Sequence, residues 1–154
     1  MRRSIFVLLP AFAAAAVVLA GCSSSSTTSS AAAGTPSSSA SGSGTITIGS
    51  DQANDHGTED ATGKSTLEID ANNDNGFYFK PTIVTGSANQ SLTIELKNEG
   101  TAPHNFSIDS LGVNVTLQPG ASQEVKVKFP ASGTTEFFCS FHRSLGMAGE
   151  LEVT

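Results

Sequence analysis

The sequence is short of several things at once. Of its 154 residues only 8 are Lys or Arg against 14 Asp and Glu, a net charge of −6. A chain this acidic lacks the basic patch that a phosphate backbone demands, so nucleic acid is not expected as a partner. It contains no glycine-rich loop of the phosphate-cradling kind. No segment carries the apolar period of an amphipathic helix, which argues against a helical bundle. The one long apolar run, Ile5 to Leu19 broken by Pro10, is short for a membrane span. Cysteine occurs only at Cys22 and Cys139, and histidine only at His56, His104 and His142.

What is present divides the chain. Arg2 and Arg3 followed by the run from Ile5 have the positive start and short apolar body of an export signal over residues 1–21. The run ends in Leu19-Ala20-Gly21-Cys22, which resembles the lipobox of bacterial lipoproteins. That resemblance implies removal of the signal, lipidation of Cys22, and an extracytoplasmic domain anchored by lipid to the bacterial membrane. From Ser23 to Gly44 the composition is almost wholly Ser, Ala, Thr and Gly, with too little apolar matter to offset the entropy of folding. Residues 22–44 are therefore expected to be a lipidated tether with an r.m.s. span of roughly 26 Å. With Cys22 modified, Cys139 is a lone thiol in an oxidising compartment, where a bound metal is one reason such a residue persists.

Residues 45–63 open with a short strand-like piece, Thr45 to Ile48, and turn acidic. Asp51, Asp55, Glu59, Asp60, Glu68, Asp70 and Asp74 stand against Lys64 alone as far as Asp74. Loss of Arg2 and Arg3 with the signal leaves six basic and fourteen acidic residues, −8 in the mature chain. Such a surface is a solvated face or a means of steering a basic partner. His56, within Asp-His-Gly-Thr-Glu-Asp, is expected to be a solvated loop histidine rather than a second metal site, since no other ligand type is fixed beside it.

From Lys64 to Thr154 apolar residues recur two apart: Leu67 and Ile69; Leu92, Ile94 and Leu96; Phe106 and Ile108; Val113, Val115 and Leu117; Val125, Val127 and Phe129. Turn-forming clusters separate them, among them Asn98-Glu99-Gly100 and Gln118-Pro119-Gly120. Many short strands with this punctuation predict an all-β sandwich or barrel over residues 64–154.

The chemistry is concentrated near the C-terminus, in Cys139-x-x-His142-x-x-x-x-Met147, with His104 upstream in Ala102-Pro103-His104-Asn105-Phe106. Thiolate, imidazoles and thioether differ in softness, and together suit an ion that alternates between Cu(I) and Cu(II). Zinc could use the same groups, but closed zinc sites take fuller Cys and His sets without Met. Phe137 and Cys139 share a strand face, so if Phe137 packs inward the sulfur points inward as well. With two of three histidines committed here, only His56 is left over for a second catalytic metal or a Ser, His, Asp arrangement, and no enzyme is expected.

These two motifs are similar to those of the plastocyanin-like cupredoxins, the type 1 blue copper proteins. The resemblance implies a Greek-key β-sandwich and one copper ion held by His104, Cys139, His142 and a weak axial Met147. It further implies that Asn105 bonds toward Ser140 while its amide points to the Cys139 sulfur, that the Pro103 carbonyl faces the copper opposite Met147, and that Phe141, Leu145 and Ala148 form an apolar electron-transfer patch around His142. Phe141 stands where that family commonly has proline, and Phe138 where it has tyrosine before the cysteine. The resemblance is thus to blue copper proteins broadly. It implies a monomeric, membrane-anchored one-electron carrier serving redox proteins such as a cytochrome or a membrane oxidoreductase, the alternative being a protein that stores or delivers copper.

Overall fold

A computed structural model describes residues 44–154; the export signal, Cys22 and nearly all of the tether lie outside the described residues. The elements in order are β1 (Gly44–Ile48), β2 (Asp51–Asp55), β3 (Thr58–Asp60), β4 (Thr66–Asn72), β5 (Tyr78–Lys80), β6 (Ile83–Gly86), β7 (Ser91–Asn98), β8 (His104–Ile108), β9 (Val113–Leu117), β10 (Ser122–Lys128), β11 (Thr134–Phe138) and β12 (Ala148–Val153). Two single 3₁₀ turns, Asp109–Leu111 and Arg143–Leu145, are the helical pieces among the described residues. Every apolar alternation read from the sequence falls on a strand, with Phe129 one residue past the end of β10, and the domain is a sandwich of two sheets.

One sheet has the order β10-β7-β4-β5 and the other β3-β6-β12-β11-β8-β9. Parallel pairing of β4 with β7, and of β12 with β6, sends the chain repeatedly from one sheet to the other. The inward faces interlock: Ile69, Ile94, Phe79, Phe106, Phe137 and Leu151 are fully buried. Phe79, Phe106 and Phe137 meet with ring centroids 5.0 to 5.6 Å apart, two of the three pairs edge-to-face. Burying each such side chain contributes about 1.5–3 kcal/mol, and this core fixes the strand ends from which the metal-capable residues project.

The N-terminal boundary differs from the expectation. Residues 44–60, expected to hold one strand-like piece ahead of the sandwich domain, form three strands. β3 pairs in parallel with β6 and extends the second sheet, while β1 and β2 form an antiparallel hairpin turning at Gly49-Ser50. The hairpin carries its own small core, Ile48 and Ala53 packed on Phe138 and Ala148, with Ile46 at the margin. Within β2 only Ala53 is fully buried, so apolar alternation had almost nothing to register. His56 likewise departs from a solvated loop. Its ring stacks on Tyr78 at 3.4 Å, and its backbone N–H donates to Thr82 Oγ1 at 2.7 Å. Burial and an acceptor on Asp74 Oδ1, 2.7 Å away, push the Tyr78 hydroxyl up to about 12.

The outer face of the first sheet holds like charges in register. Glu68 on β4 lies opposite Glu95 on β7, which lies opposite Glu124 on β10, and all three are exposed. Lys97, which pairs with Glu68, offsets part of the repulsion. Directly opposed like charges destabilise a sheet, so replacing the middle one, Glu95→Gln, is expected to raise unfolding stability by about 0.5 kcal/mol at low salt and by less at high salt. Urea unfolding at two ionic strengths checks this; an unchanged or lowered midpoint contradicts it.

Candidate metal centre

His104 opens β8 because the preceding turn is built to deliver it. Asn98 at the end of β7 is buried, and its side-chain amide donates to the carbonyls of Ala102 at 2.9 Å and Leu117 at 3.0 Å, while its oxygen accepts the Gly100 N–H at 3.0 Å. From the other side Asn73 Oδ1 accepts the N–H groups of Thr101 at 2.8 Å and Ala102 at 3.2 Å. The second donor segment runs from Cys139 to Met147. It closes on itself through Cys139 N–H to Met147 O at 3.0 Å, His142 N–H to Cys139 O at 3.1 Å and Met147 N–H to His142 O at 3.2 Å. Phe137 and Cys139 both have no exposed surface, which fulfils the shared inward face.

Asn105 joins the two segments. Its backbone N–H donates to Cys139 Sγ at 3.3 Å, and its side-chain oxygen accepts the Ser140 N–H at 2.6 Å. Its amide nitrogen donates to Ser107 Oγ and Asn114 Oδ1, both at 2.8 Å, so a side chain only 1% exposed is fully partnered. Both contacts that the resemblance implied for Asn105 are present.

The result is a tight triangle of donors. His104 Nδ1 and His142 Nδ1 are 3.2 Å apart, Cys139 Sγ is 3.5 Å from His142 Nδ1, and the ligating atoms of all three residues lie within 4.8 Å of one another. Two imidazole nitrogens bound to one ion at roughly 2.0–2.1 Å and a near-tetrahedral angle stand roughly 3.3 Å apart, so the spacing suits a shared ion. Cys139 is a free thiol. Burial, then the neighbouring His142, drives His104 down to about 4, and burial lowers His142 as well; both rings are therefore neutral at pH 7, with lone pairs open to a metal. His104 Nε2 is buried without a hydrogen-bond partner. With Nδ1 turned to the triangle, the ring contributes one donor atom there and nothing else.

The remaining expected residues separate. Met147 is fully buried where the loop enters β12, and Pro103 is exposed just before His104. Phe141 and Leu145 are 55% and 54% exposed on either side of the half-buried His142. Ala148 is a correction. It has no exposed surface and packs with Phe138 under the β1–β2 hairpin, so it cannot belong to a surface patch. A residue the sequence reading missed is Phe77, whose ring stacks on His142 with centroids 4.0 Å apart and planes 21° from parallel. It precedes a strand of three residues in a stretch without alternation, so nothing in the sequence marked it. Arg143 was missed too: it bonds Asp51 at 2.5 Å and both Glu136 oxygens at 2.9 Å, and lies 4.1 Å over the Phe138 ring. The Arg143 bond holds Asp51 below the usual carboxylate range, while burial raises Glu136.

The depressed His104 makes metal-free stability depend on pH. An unfolded histidine titrates near 6.5 and the folded one near 4, so between these values the unfolded chain binds more protons and stability falls as pH falls. The loss attributable to His104 is on the order of 3 kcal/mol by pH 4, and His104→Gln is expected to flatten that part of the profile. Urea unfolding of metal-free protein from pH 7 to 4 checks it; an equally steep profile in the variant contradicts it.

Comparison with known proteins agrees with this centre. The family described as the Cupredoxin-like domain matches residues 12–153. Plastocyanin A/B of Petroselinum crispum is 34% identical over 90 residues, covering 52% of this chain and 91% of that protein. Chloroplastic plastocyanin of Pisum sativum is 33% identical over 92 residues, 52% of this chain and about half, 54%, of that protein. Among solved structures, a chain of a heme-copper terminal oxidase dimer has a similar fold, with a TM-score of 0.50 and 20% identity over 60% of this chain and 66% of that one. Reduced auracyanin from Roseiflexus castenholzii matches at a TM-score of 0.48 and 22% identity over 59% of this chain and 98% of that one. Because the family match runs nearly the length of the sequence and the donor triangle suits a single ion, the chain belongs to the cupredoxin-like domain family, with one copper ion as its cofactor.

Proposed function

We propose that the protein is a type 1 blue copper electron carrier, exported, held to the bacterial membrane by lipid on Cys22, and passing single electrons between redox proteins. His104, Cys139 and His142 would hold the copper, with the Met147 thioether and the Pro103 carbonyl as the weaker donors available to it. Bound copper supplies a one-electron couple; the chain supplies geometry and access. The observation that carries the reading is the asymmetry of exposure. His104 and Cys139 are buried while His142, in the same triangle, is half-buried between the exposed Phe141 and Leu145. Electrons would enter and leave through that imidazole, with the two apolar side chains seating a partner. Burial of Cys139 with its Asn105 hydrogen bond excludes water and limits rearrangement between oxidation states.

The tether lets a lipid-held domain turn toward partners near the membrane. An acidic mature chain favours a basic partner, a cytochrome or a membrane oxidoreductase, approached by a monomer. The roles left to the chain's own residues are holding and shielding, which fits a carrier rather than an enzyme.

Loaded with Cu(II), the protein is expected to show an intense blue thiolate-to-copper absorption and a type 1 paramagnetic resonance spectrum, both lost in Cys139→Ser. A colourless protein, or ordinary Cu(II) signals that the substitution leaves unchanged, contradicts the carrier reading; copper surrendered to a partner during redox cycling supports storage or delivery instead. Replacing Phe141 and Leu145 by Ser is expected to slow electron exchange with a redox partner on the order of tenfold while leaving the blue band in place. An unaltered rate removes these residues from the docking surface.

A further inference from the structure

The β1–β2 hairpin reaches the metal loop through two side chains, Asp51, which bonds Arg143, and Asn54. Asn54 on β2 donates both hydrogens of its amide, one to the Phe77 carbonyl at 2.8 Å and one to the Leu145 carbonyl at 2.9 Å, and its backbone N–H donates to the Gly146 carbonyl at 2.9 Å. These acceptors are loop carbonyls. Phe77 lies in the turn before β5, Leu145 ends the second 3₁₀ turn, and Gly146 follows it on the way to β12. The two loops meet at His142: the Phe77 ring stacks on its imidazole, and the loop backbone from Arg143 to Met147 returns to its carbonyl.

The local backbone is shaped around this amide. Gly146 has φ of 91°, and a Cβ built on it would stand 2.6 Å from Asn54 Nδ2; Gly76, with φ of 109°, would place a Cβ 3.6 Å from the same atom. A side chain at Gly146 would displace the amide, and Gly76 lets the Phe77 turn close upon it. The hairpin is itself held at this place by Ile48 and Ala53 on Phe138 and Ala148, and by Asp51 on Arg143.

We propose that Asn54 is a positioning residue of the copper centre, tying the Phe77 turn to the Leu145–Gly146 segment so that both the ring stacked on His142 and the loop carrying it are fixed by one amide. The inference rests on the copper reading of that loop. Residues around a metal's ligands set their orientation, and losing such a contact costs metal affinity and alters the site's electronic signature.

The test uses the full chain with Asn54→Ala and with Asn54→Asp, which keeps the shape but turns carboxylate oxygens toward two carbonyls. Val127→Ala serves as a control for stability alone; Val127 is a core residue paired with Leu92 near the start of β7, the opposite end of that strand from the turn leading to His104. Both Asn54 variants are expected to release copper to a copper(I) chelator about tenfold faster or more, and to shift the blue band and reduction potential, well below the unfolding midpoint. The control is expected to lower the midpoint without these changes. Unchanged release and spectra in both variants, or equal changes in Val127→Ala at matched stability, would overturn the proposal. Amide exchange in the metal-free chain separates this from the copper reading. If wild type shows no blue band, the type 1 assignment fails, yet exchange at Leu145, Gly146 and Met147 still reports on the tie: about tenfold faster in Asn54→Ala supports it, and no change refutes it.

Discussion

The metal centre depends on the join between the start of β8 and the end of β11. His104 and Cys139 arrive from segments far apart in sequence, and β8 and β11 share only a short register at Phe138 and Ser107. Asn105 completes the join by donating to the Cys139 sulfur and accepting from Ser140, which sets where the thiol can sit relative to the neighbouring imidazole. A buried asparagine costs free energy unless its groups are bonded, and here Ser107 and Asn114 take its amide hydrogens. Were this side chain to turn, a buried amide would be orphaned and two donor residues would part, so the geometry is held by a steep local penalty.

Around that join, burial works in one direction. It keeps both histidines neutral and draws a free thiol into the interior, which costs folding free energy in the metal-free chain and leaves lone pairs directed at one point. A bound ion recovers that cost, because it satisfies donors that the protein itself leaves open. Partial exposure of His142 is what connects so closed a site to the outside. Its two faces are treated differently: Phe77 stacks on the ring from within, and Phe141 lies edge-on to it at 6.2 Å toward solvent.

The N-terminal strands change the picture of where the domain ends. A region that looks like an acidic leader to the sandwich supplies an edge strand to one sheet and a hairpin that covers Ala148, bonds Arg143 through Asp51, and reaches two loop carbonyls through Asn54. The metal loop is therefore gripped from inside by β8 and from outside by β2.

The sandwich was legible because strands at Leu67, Leu92, Phe106, Val113 and Val125 each bury alternate residues in one core, and a two-residue period is a local property of a chain. The triangle of His104, Cys139 and His142 was legible because cysteine, histidine and methionine at close spacing have few other uses in common, and Asn105 through the family resemblance of the motif around His104. Of the hairpin only the piece Thr45 to Ile48 was legible as a strand: β2 is polar, the small core is completed by Phe138 and Ala148 from the far end of the chain, and Asn54 bonds backbone carbonyls that any residue would offer. Ala148 was misread for the same reason, since a residue next to an exposed loop looks exposed until the element covering it is in place. The sequence by itself thus determined the all-β fold class and the presence of metal-capable side chains suited to copper, which follow from local period and side-chain chemistry together with the family resemblance. The tertiary structure alone decided which face stays open, which ring stacks on His142 and what holds the loop, because those depend on contacts between segments whose separation in sequence carries no signal.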